Sequence, residues 1–428
     1  MKIIIAHPAQ QHSYRLAAAM KKAEVLYKYI TTVYCKKGSL TALAARILRG
    51  GLRVKAGNRH CAELADRDIV QFCEAEGLVK LLALNTPFLK KQYRKIKYHT
   101  ADRFARRTAD YAIKHKVDAV ITYDDTSPLL FEILQEKAPR TARIVDMSAA
   151  NILFMRNIYE KDIEMSPVFG ERLREERKIC WDPFTIERTK RELKAAEYFL
   201  VPSAFVGRSL QYSGIDQSKI FYCPYGVDID AFWRKKYETF CPGSRPLECI
   251  YVGGVKELKG ISYLLEAFEG IPREKAFLTV VGKYDPADED TAPYAGRVNF
   301  TGPVLHSEVP GLLRKADVFI MPSLGEGMSL SVIEAAACGL PLIVSENAGV
   351  EKLVKDGVNG FVIPIQSAQA IREKIMYFAA HPDQIPCMGR EARATAEQYS
   401  WDSYSANAAR AVRRIMALHR QAQEQEKG

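Results

Sequence analysis

The sequence predicts an α/β protein built from two doubly wound halves in tandem, and three observations predict it. Short apolar runs alternate with amphipathic helical segments along the whole chain, as parallel sheets covered by helices require. The 428 residues exceed one ordinary core and suggest two domains of roughly 150–250 residues. The stretch Asp228–Pro246, with two prolines, mixed charge and no period, reads as the linker between them.

In the first half, strands are expected at Lys2–Ala6, Val117–Thr122, Ala142–Asp146, Tyr198–Val201 and Ile220–Cys223. Amphipathic helices are expected at Ser13–Lys22 and Ala101–Lys116. The second series has strands at Glu248–Val252, Phe277–Val281, Val298–Thr301, Val318–Met321, Leu342–Ser345 and Phe361–Ile363. Its helices fall at Ile261–Phe268, Glu308–Lys315, Ser329–Ala337 and Ala370–Ala379. No solenoid repeat is present. A last helical pattern, Trp401–His419, lies beyond the second series and is expected to pack back onto the first. The division is therefore 1–228 plus a returning helix at 400–420, and 247–398. The whole is expected to form two facing Rossmann-like domains with a cleft between them.

Composition narrows the function. With 47% apolar and 26% charged residues, the chain is an ordinary globular one, which excludes disorder and fibrous repeats. No run approaches the roughly 18 apolar residues of a membrane span. The apolar start of MKIIIAHPAQ stops at His7-Pro8, so it reads as a strand and not a signal peptide. Nine cysteines without CxxC spacing fit free thiols in a reducing cytoplasm and no zinc site.

The net charge of +11 is concentrated: residues 1–100 hold 19 Lys and Arg against 6 Asp and Glu. Its sources include Arg46, Arg49, Arg53, Lys55 and Arg59, then Lys90, Lys91, Arg94, Lys95 and Lys97. Such a face attracts an anionic membrane surface, nucleic acid or an acidic substrate. No nucleic-acid motif accompanies it, so no nucleic-acid partner is expected. The partly amphipathic Leu43–Arg59 favours peripheral attachment at the inner face of a membrane.

Chemistry in open α/β sheets gathers at the carboxyl ends of strands, against helix N-termini. One such turn is Tyr251–Gly260, where Gly253 and Gly254 admit a close backbone approach and Lys259 precedes a helix. It suits a diphosphate, and equally a plain βα turn with an exposed lysine. The second turn, Met321–Pro341, is more specific. Gly325 and Gly327 flank Glu326, which is expected over the N–H groups of Met328, Ser329 and Leu330, and Glu334 follows on the helix. A carboxylate can accept two hydrogen bonds from a vicinal diol. The structural alternative is that Glu334 complements the helix dipole and Glu326 is a loop charge.

The spacing of Glu326 and Glu334 within GEGMSLSVIEAAACGLPLIVS resembles the GT-B retaining glycosyltransferases of family 4, the glycosyl transferases group 1. The resemblance covers the chain from about Glu197 and takes in AEYFLVPSAFVGRSL, PYGVD, the VGG…KG turn, TGPV, LLRKADVFIMPS and SWDSY. It implies a GT-B fold and a nucleotide-diphosphate sugar, on UDP or GDP, as co-substrate, with no cofactor and no metal. It implies that Glu334 holds the ribose, Lys259 the diphosphate and Glu326 the donor sugar, with backbone from Gly327 to Leu330 as the cradle. The leaving anion would be stabilised electrostatically. The acceptor would be a saccharide, a lipid-linked glycan or a small molecule, in cell-surface glycan or glycolipid synthesis.

The chain departs from that pattern in three places. Where relatives place a second, arginine clamp, it has Gly254 and Leu258, which leaves the clamp either incomplete or supplied by Lys256. Its first loop is His7-Pro-Ala-Gln-Gln-His12, without glycine, and Thr122-Tyr-Asp-Asp125 replaces a histidine-containing turn. Acceptor-side candidates are therefore His7, Asp124 and Asp125 for proton transfer, with His12 and Tyr123 beside them. Hydrogen bonding within the loop and helix capping are the alternatives. A degenerate fold that only binds sugar nucleotides, and a sugar-nucleotide epimerase, are the competing functions.

Overall fold

The computed structural model describes residues 1–9, 12–47, 57, 59–86, 92–165, 167–234, 245–285, 291–294 and 296–425. The first sheet contains β1 (Ile3–His7), β2 (Leu26–Thr31), β3 (Ile69–Gln71), β4 (Ala119–Tyr123), β5 (Ala142–Asp146), β6 (Tyr198–Val201) and β7 (Ile220–Tyr222). All its pairings are parallel, in the order β3-β2-β1-β4-β5-β6-β7. The second holds β8 (Leu247–Val252), β9 (Ala276–Val281), β10 (Val298–Gly302), β11 (Val318–Met321), β12 (Leu342–Ser345) and β13 (Gly360–Ile363). Its order is β10-β9-β8-β11-β12-β13, again parallel. Strand order thus reverses beside β1 and β4 in one sheet and beside β8 and β11 in the other, and each reversal opens a crevice at the carboxyl ends.

Helices in the first half are α1 (Ser13–Lys22), α2 (Leu40–Ile47), α3 (Glu74–Asn85), α4 (Tyr93–His115) and α5 (Pro128–Lys137). They continue with α6 (Ile152–Met165), α7 (Pro167–Glu176), α8 (Pro183–Ala195) and α9 (Ala204–Tyr212). The second half has α10 (Ile261–Glu269), α11 (Val309–Lys315), α12 (Leu330–Ala337), α13 (Ala368–Ala380) and α14 (Gln384–Ala396). The last helix is α15 (Trp401–Gln425).

Two strands escape a reading by apolar runs. β2 carries Lys28 between two tyrosines, and β3 is only three residues long. Both are held by parallel pairing to β1 or to each other. Likewise α4 begins at Tyr93, well before the expected Ala101. Its basic first turns are neutralised from other elements, by Arg94–Asp182 at 2.5 Å and Lys97–Asp125 at 2.6 Å. Much of the interdomain linker, at 235–244, lies outside the described residues, as do Arg49, Arg53, Lys55, Lys90 and Lys91. The described cysteines are free thiols. Among the described residues no helix is long and apolar enough to cross a membrane.

The chain returns to its first domain at the end. Val227 pairs with Ser400 and, from there, α15 lies along α1. Lys22 pairs with Asp402 at 2.9 Å, and the Arg15 guanidinium sits 4.6 Å from the Trp401 ring. Tyr404, Ala408, Val412 and Ile415 form the buried stripe, at the three-to-four-residue spacing of a helix face. Ile415→Ala should therefore destabilise the chain by about 2–4 kcal/mol, read as a lowered urea midpoint; an unchanged midpoint would show that α15 is dispensable to the core.

Candidate functional site

In the second domain, β8 runs into Gly253 and Gly254, and a short 3-10 turn, Glu257–Lys259, leads to Gly260. Gly260 has φ +70°, and a Cβ there would stand 2.1 Å from the Pro322 carbonyl oxygen, so the turn requires glycine. Gly253 is tied to β9 by its N–H to the Val281 carbonyl. Gly254 differs: a side chain there would meet only the Lys256 methylenes, at 3.8 Å or more. Buried Glu257 accepts from Ser262, and burial pushes its pKa up to about 8.

The Gly260 contact brings this turn against the loop after β11. There the Lys259 ammonium pairs with the Glu326 carboxylate, which also accepts from the Ser323 hydroxyl at 2.9 Å. This corrects the expectation that Glu326 sits over the amides of Met328, Ser329 and Leu330. The Ser329 N–H is already taken by the Ala348 carbonyl at 3.2 Å, and the nearby ammonium draws the carboxylate away. Helix α12 starts at Leu330 with no side chain capping its N-terminus, so its first-turn amides stay available to an anion. Glu334, further along α12, is 12% exposed and meets the exposed His306 imidazole at 2.9 Å. Burial raises its pKa, and His306 opposes the rise. His306 was not evident in the sequence because its partner lies 28 residues away.

The two glycines around Glu326 have a steric explanation. A Cβ on Gly327 would lie 1.8 Å from the Ser148 carbonyl oxygen of the first domain, and one on Gly325 would lie 2.4 Å from Met155 Cε. Ser203 donates to the Gly327 carbonyl at 2.5 Å, and the Tyr225 N–H points to Met328 Sδ at 3.3 Å. Further bonds cross the same seam. Arg172 donates to the Val255 carbonyl at 2.8 Å, and Glu176 accepts from the amides of Glu257 and Leu258 at 3.2 and 3.3 Å. Tyr263 donates to Asp162 at 2.7 Å.

Across the seam stands the first-domain cluster. His12 Nε2 meets Asp146 Oδ2 at 2.9 Å, and the Tyr225 hydroxyl lies 3.3 Å from the same nitrogen. Burial opposes charge on His12, but Asp146 outweighs it and raises the pKa. Asp124 Oδ1 accepts from both the Ser148 hydroxyl, at 2.7 Å, and the Ser148 N–H, at 3.2 Å. Burial raises its pKa, with Ser148 opposing. Since Ser148 also abuts Gly327, Asp124 and the donor-side loop are joined through one residue.

The other candidates are placed differently. Asp125 has φ +67°, pairs with Lys97, and its N–H is held by Glu192, whose pKa burial pushes to about 7. Tyr123 is fully buried between His7 and His12, with ring centroids 4.9 and 5.0 Å away. His7 is 3% exposed and its Nδ1 accepts the Ala9 N–H at 2.8 Å. The loop-bracing alternative is thus the one the geometry realises for His7. Asp146, Ser148, Tyr225 and Glu192 complete this cluster through contacts that no local motif encodes.

Burial lowers the pKa of His7 to about 3 against 6.5 in the unfolded chain, with nearby cations adding to the fall. The unfolded state therefore binds a proton that the folded state refuses, and stability present above pH 6.5 is lost progressively toward pH 3. The loss should be on the order of a few kcal/mol. His7→Asn should flatten this acid limb in urea melts at pH 7, 5 and 4; an unaltered slope would place the titration elsewhere.

Comparisons with known proteins agree with this architecture. The family model described as "Glycosyl transferases group 1" matches residues 246–381. A D-inositol 3-phosphate glycosyltransferase of Paenarthrobacter aurescens is 28% identical over 218 residues, 46% of this chain and 52% of that protein. A putative colanic acid biosynthesis glycosyltransferase, WcaL, of Salmonella typhimurium is 28% identical over 200 residues, 42% of this chain and 46% of that protein. The chain thus spans about half the length of the curated relatives it matches. Among solved structures, sucrose-phosphate synthase from Thermosynechococcus elongatus superposes with TM-score 0.65 at 18% identity, covering 98% of this chain and 100% of that one. Anabaena HepE in complex with UDP-glucose gives TM-score 0.59 at 13% identity, covering 96% and 99%. The two parallel sheets are those of the GT-B fold, and the stretch carrying Lys259, Glu326 and Glu334 is the one that matches the glycosyl transferases group 1 model.

Proposed function

We propose that the chain is a retaining glycosyltransferase that moves a sugar from a nucleotide-diphosphate donor to a hydroxyl acceptor without a required metal. The observation that carries this is the meeting of Lys259, Glu326 and the uncapped start of α12 at one strand-order reversal, directly under the His12–Asp146–Asp124 cluster at the other. The two sets of residues suit a donor on one side and an acceptor on the other.

The donor is a UDP- or GDP-sugar, and the HepE complexes with UDP and UDP-glucose favour UDP. Glu334 exchanges His306 for the ribose hydroxyls. Lys259 exchanges Glu326 for the diphosphate, joined by the first-turn amides of α12. Concentrating positive charge where the leaving anion forms lowers the barrier without a metal. Glu326, released from Lys259, turns to the donor sugar. Asp124 Oδ2 receives the acceptor proton as the glycosidic bond forms, because Oδ1 is engaged by Ser148. Apolar Leu40, Leu43 and Ile47 are exposed on α2, next to the basic stretch. They suit attachment to an anionic membrane on the cytoplasmic side, with a saccharide, lipid-linked or small acceptor.

Calorimetry with UDP and GDP, with and without divalent metal, tests the donor site. Glu334→Ala should weaken nucleotide binding about ten- to a hundredfold, the worth of one or two charge-assisted hydrogen bonds. Glu326→Ala should lower turnover more than affinity. If both variants transferred sugar at the parent rate, the site would lie elsewhere.

Gly254 offers the converse test, since its Cβ position is sterically open. Gly254→Arg should restore a second cation to the clamp and tighten nucleotide binding about tenfold. Unchanged affinity would mean that the diphosphate does not pass this turn.

A further inference from the structure

Two carboxyls at the seam between the domains are buried with no cation against them. Asp162, on α6 of the first domain, and Glu257, in the turn that carries Lys259, are both 0% exposed. Asp162 Oδ1 accepts from two second-domain donors, the Tyr263 hydroxyl at 2.7 Å and the Gln366 side-chain amide at 3.0 Å. Its Oδ2 is buried without a hydrogen-bond partner. Glu257 accepts from the Ser262 hydroxyl, and from the Ser262 N–H at 3.4 Å, both neutral donors of its own domain. A buried carboxylate ordinarily takes a cation. Neither of these two forms an ion pair among the described residues, so burial favours the neutral acid at both.

The groups facing the pair reinforce this. From α7 come Arg172 and Glu176, which pair with each other at 3.5 Å. Arg172 also donates to the Val255 carbonyl, and the Glu176 oxygens take the Glu257 and Leu258 amides. From α10 come Tyr263 and, one turn on, the exposed Glu266, and Tyr251 of β8 donates to the Gly254 carbonyl. On the turn itself, Lys259 holds Glu326 and Lys256 is exposed. Burial pushes the Glu257 pKa up to about 8, with Asp162 and Glu176 adding and Ser262 opposing. Burial raises that of Asp162 as well, against Tyr263 and Gln366.

Both burials depend on contact between the domains. The donors to Asp162 belong to the second domain, and α7 of the first domain lies on the Glu257 turn. Parting the domains strips Asp162 of both donors and opens Glu257 to water, where carboxyls are ionised at neutral pH. Closing them takes protons up. We propose that Asp162 and Glu257 form a proton-linked latch: they are positioning residues that hold the Lys259 turn against the first domain while neutral and let the domains part when ionised. The latch goes beyond the donor assignment and touches it only in that the turn it positions carries Lys259. Its sign follows from the raised pKa. The latch's contribution to closure is fully present below pH 4.5, falls as pH rises, and is gone above about 8.

The test is small-angle X-ray scattering from the full chain, without nucleotide, between pH 6.5 and pH 9, a range above the acid limb of His7. Far-UV circular dichroism establishes that each sample is folded. The radius of gyration of the parent should rise across this range and level off above pH 8. Glu257→Gln and Asp162→Asn are neutral at every pH and close in shape to the protonated acids. Each should lessen the rise, and the double variant should keep its pH 6.5 radius throughout. A merely structural role would leave the pH profiles of parent and double variant alike. Where a variant fails to fold, hydrogen exchange of the parent over residues 257–264, corrected for the intrinsic rate, should quicken over the same range. A parent whose radius and exchange stay constant overturns the proposal, as does an expansion that the double variant retains. No nucleotide is present, so this result is separate from that of the UDP and GDP titrations.

Discussion

Everything at this site depends on the close approach of two backbones, the Ser148 carbonyl of the first domain and Cα of Gly327 in the second. Any side chain at residue 327 would hold the domains apart. With glycine there, the crevice beside β1 and β4 and the crevice beside β8 and β11 open toward each other. Reversal of strand order creates each crevice, but only contact across the seam makes them one site. Ser203, Arg172, Glu176 and Asp162 all bond across it, so the closed arrangement is held at several points and not by one glycine alone.

The electrostatics are organised by the same seam. On the donor side, Lys259 and Glu326 neutralise each other, and Glu334 is covered by an exposed histidine. These are partners a ligand can displace: each pair exchanges one hydrogen-bonded charge for another at modest net cost. On the first-domain side, charges are buried more deeply and are less evenly matched. Asp146 raises the pKa of His12 against desolvation, whereas Lys80, among the described residues, has only a carbonyl. A protein interior tolerates the first arrangement more readily than the second.

The chain's departures from its relatives have structural meaning. Gly254 and Leu258 stand where a second cation is expected. Around them the first domain contributes Glu176, which holds the amides of Glu257 and Leu258, and Arg172, which holds the Val255 carbonyl. The turn is therefore shaped from across the seam. In the first loop, which lacks glycine, His7 accepts the Ala9 N–H and His12 is anchored to Asp146, so side chains hold its two described ends.

Local chemistry in the sequence determined the two α/β halves, nearly every strand of the second, the returning helix, and the turns bearing Lys259, Glu326 and Glu334. These are written in period, in turn glycines and in a motif confined to neighbouring residues. Tertiary structure alone decided the rest. β2 and β3 are too polar or too short to announce themselves and exist by pairing. Glu326 turns to Lys259, 67 residues earlier, because the ammonium is near and the expected Ser329 amide is occupied. His12 finds Asp146, 134 residues away, and Lys80 finds Pro8, 72 residues away. Charge pairing and burial are properties of three-dimensional proximity, so the partner each charged residue finds carries no local signature in the chain.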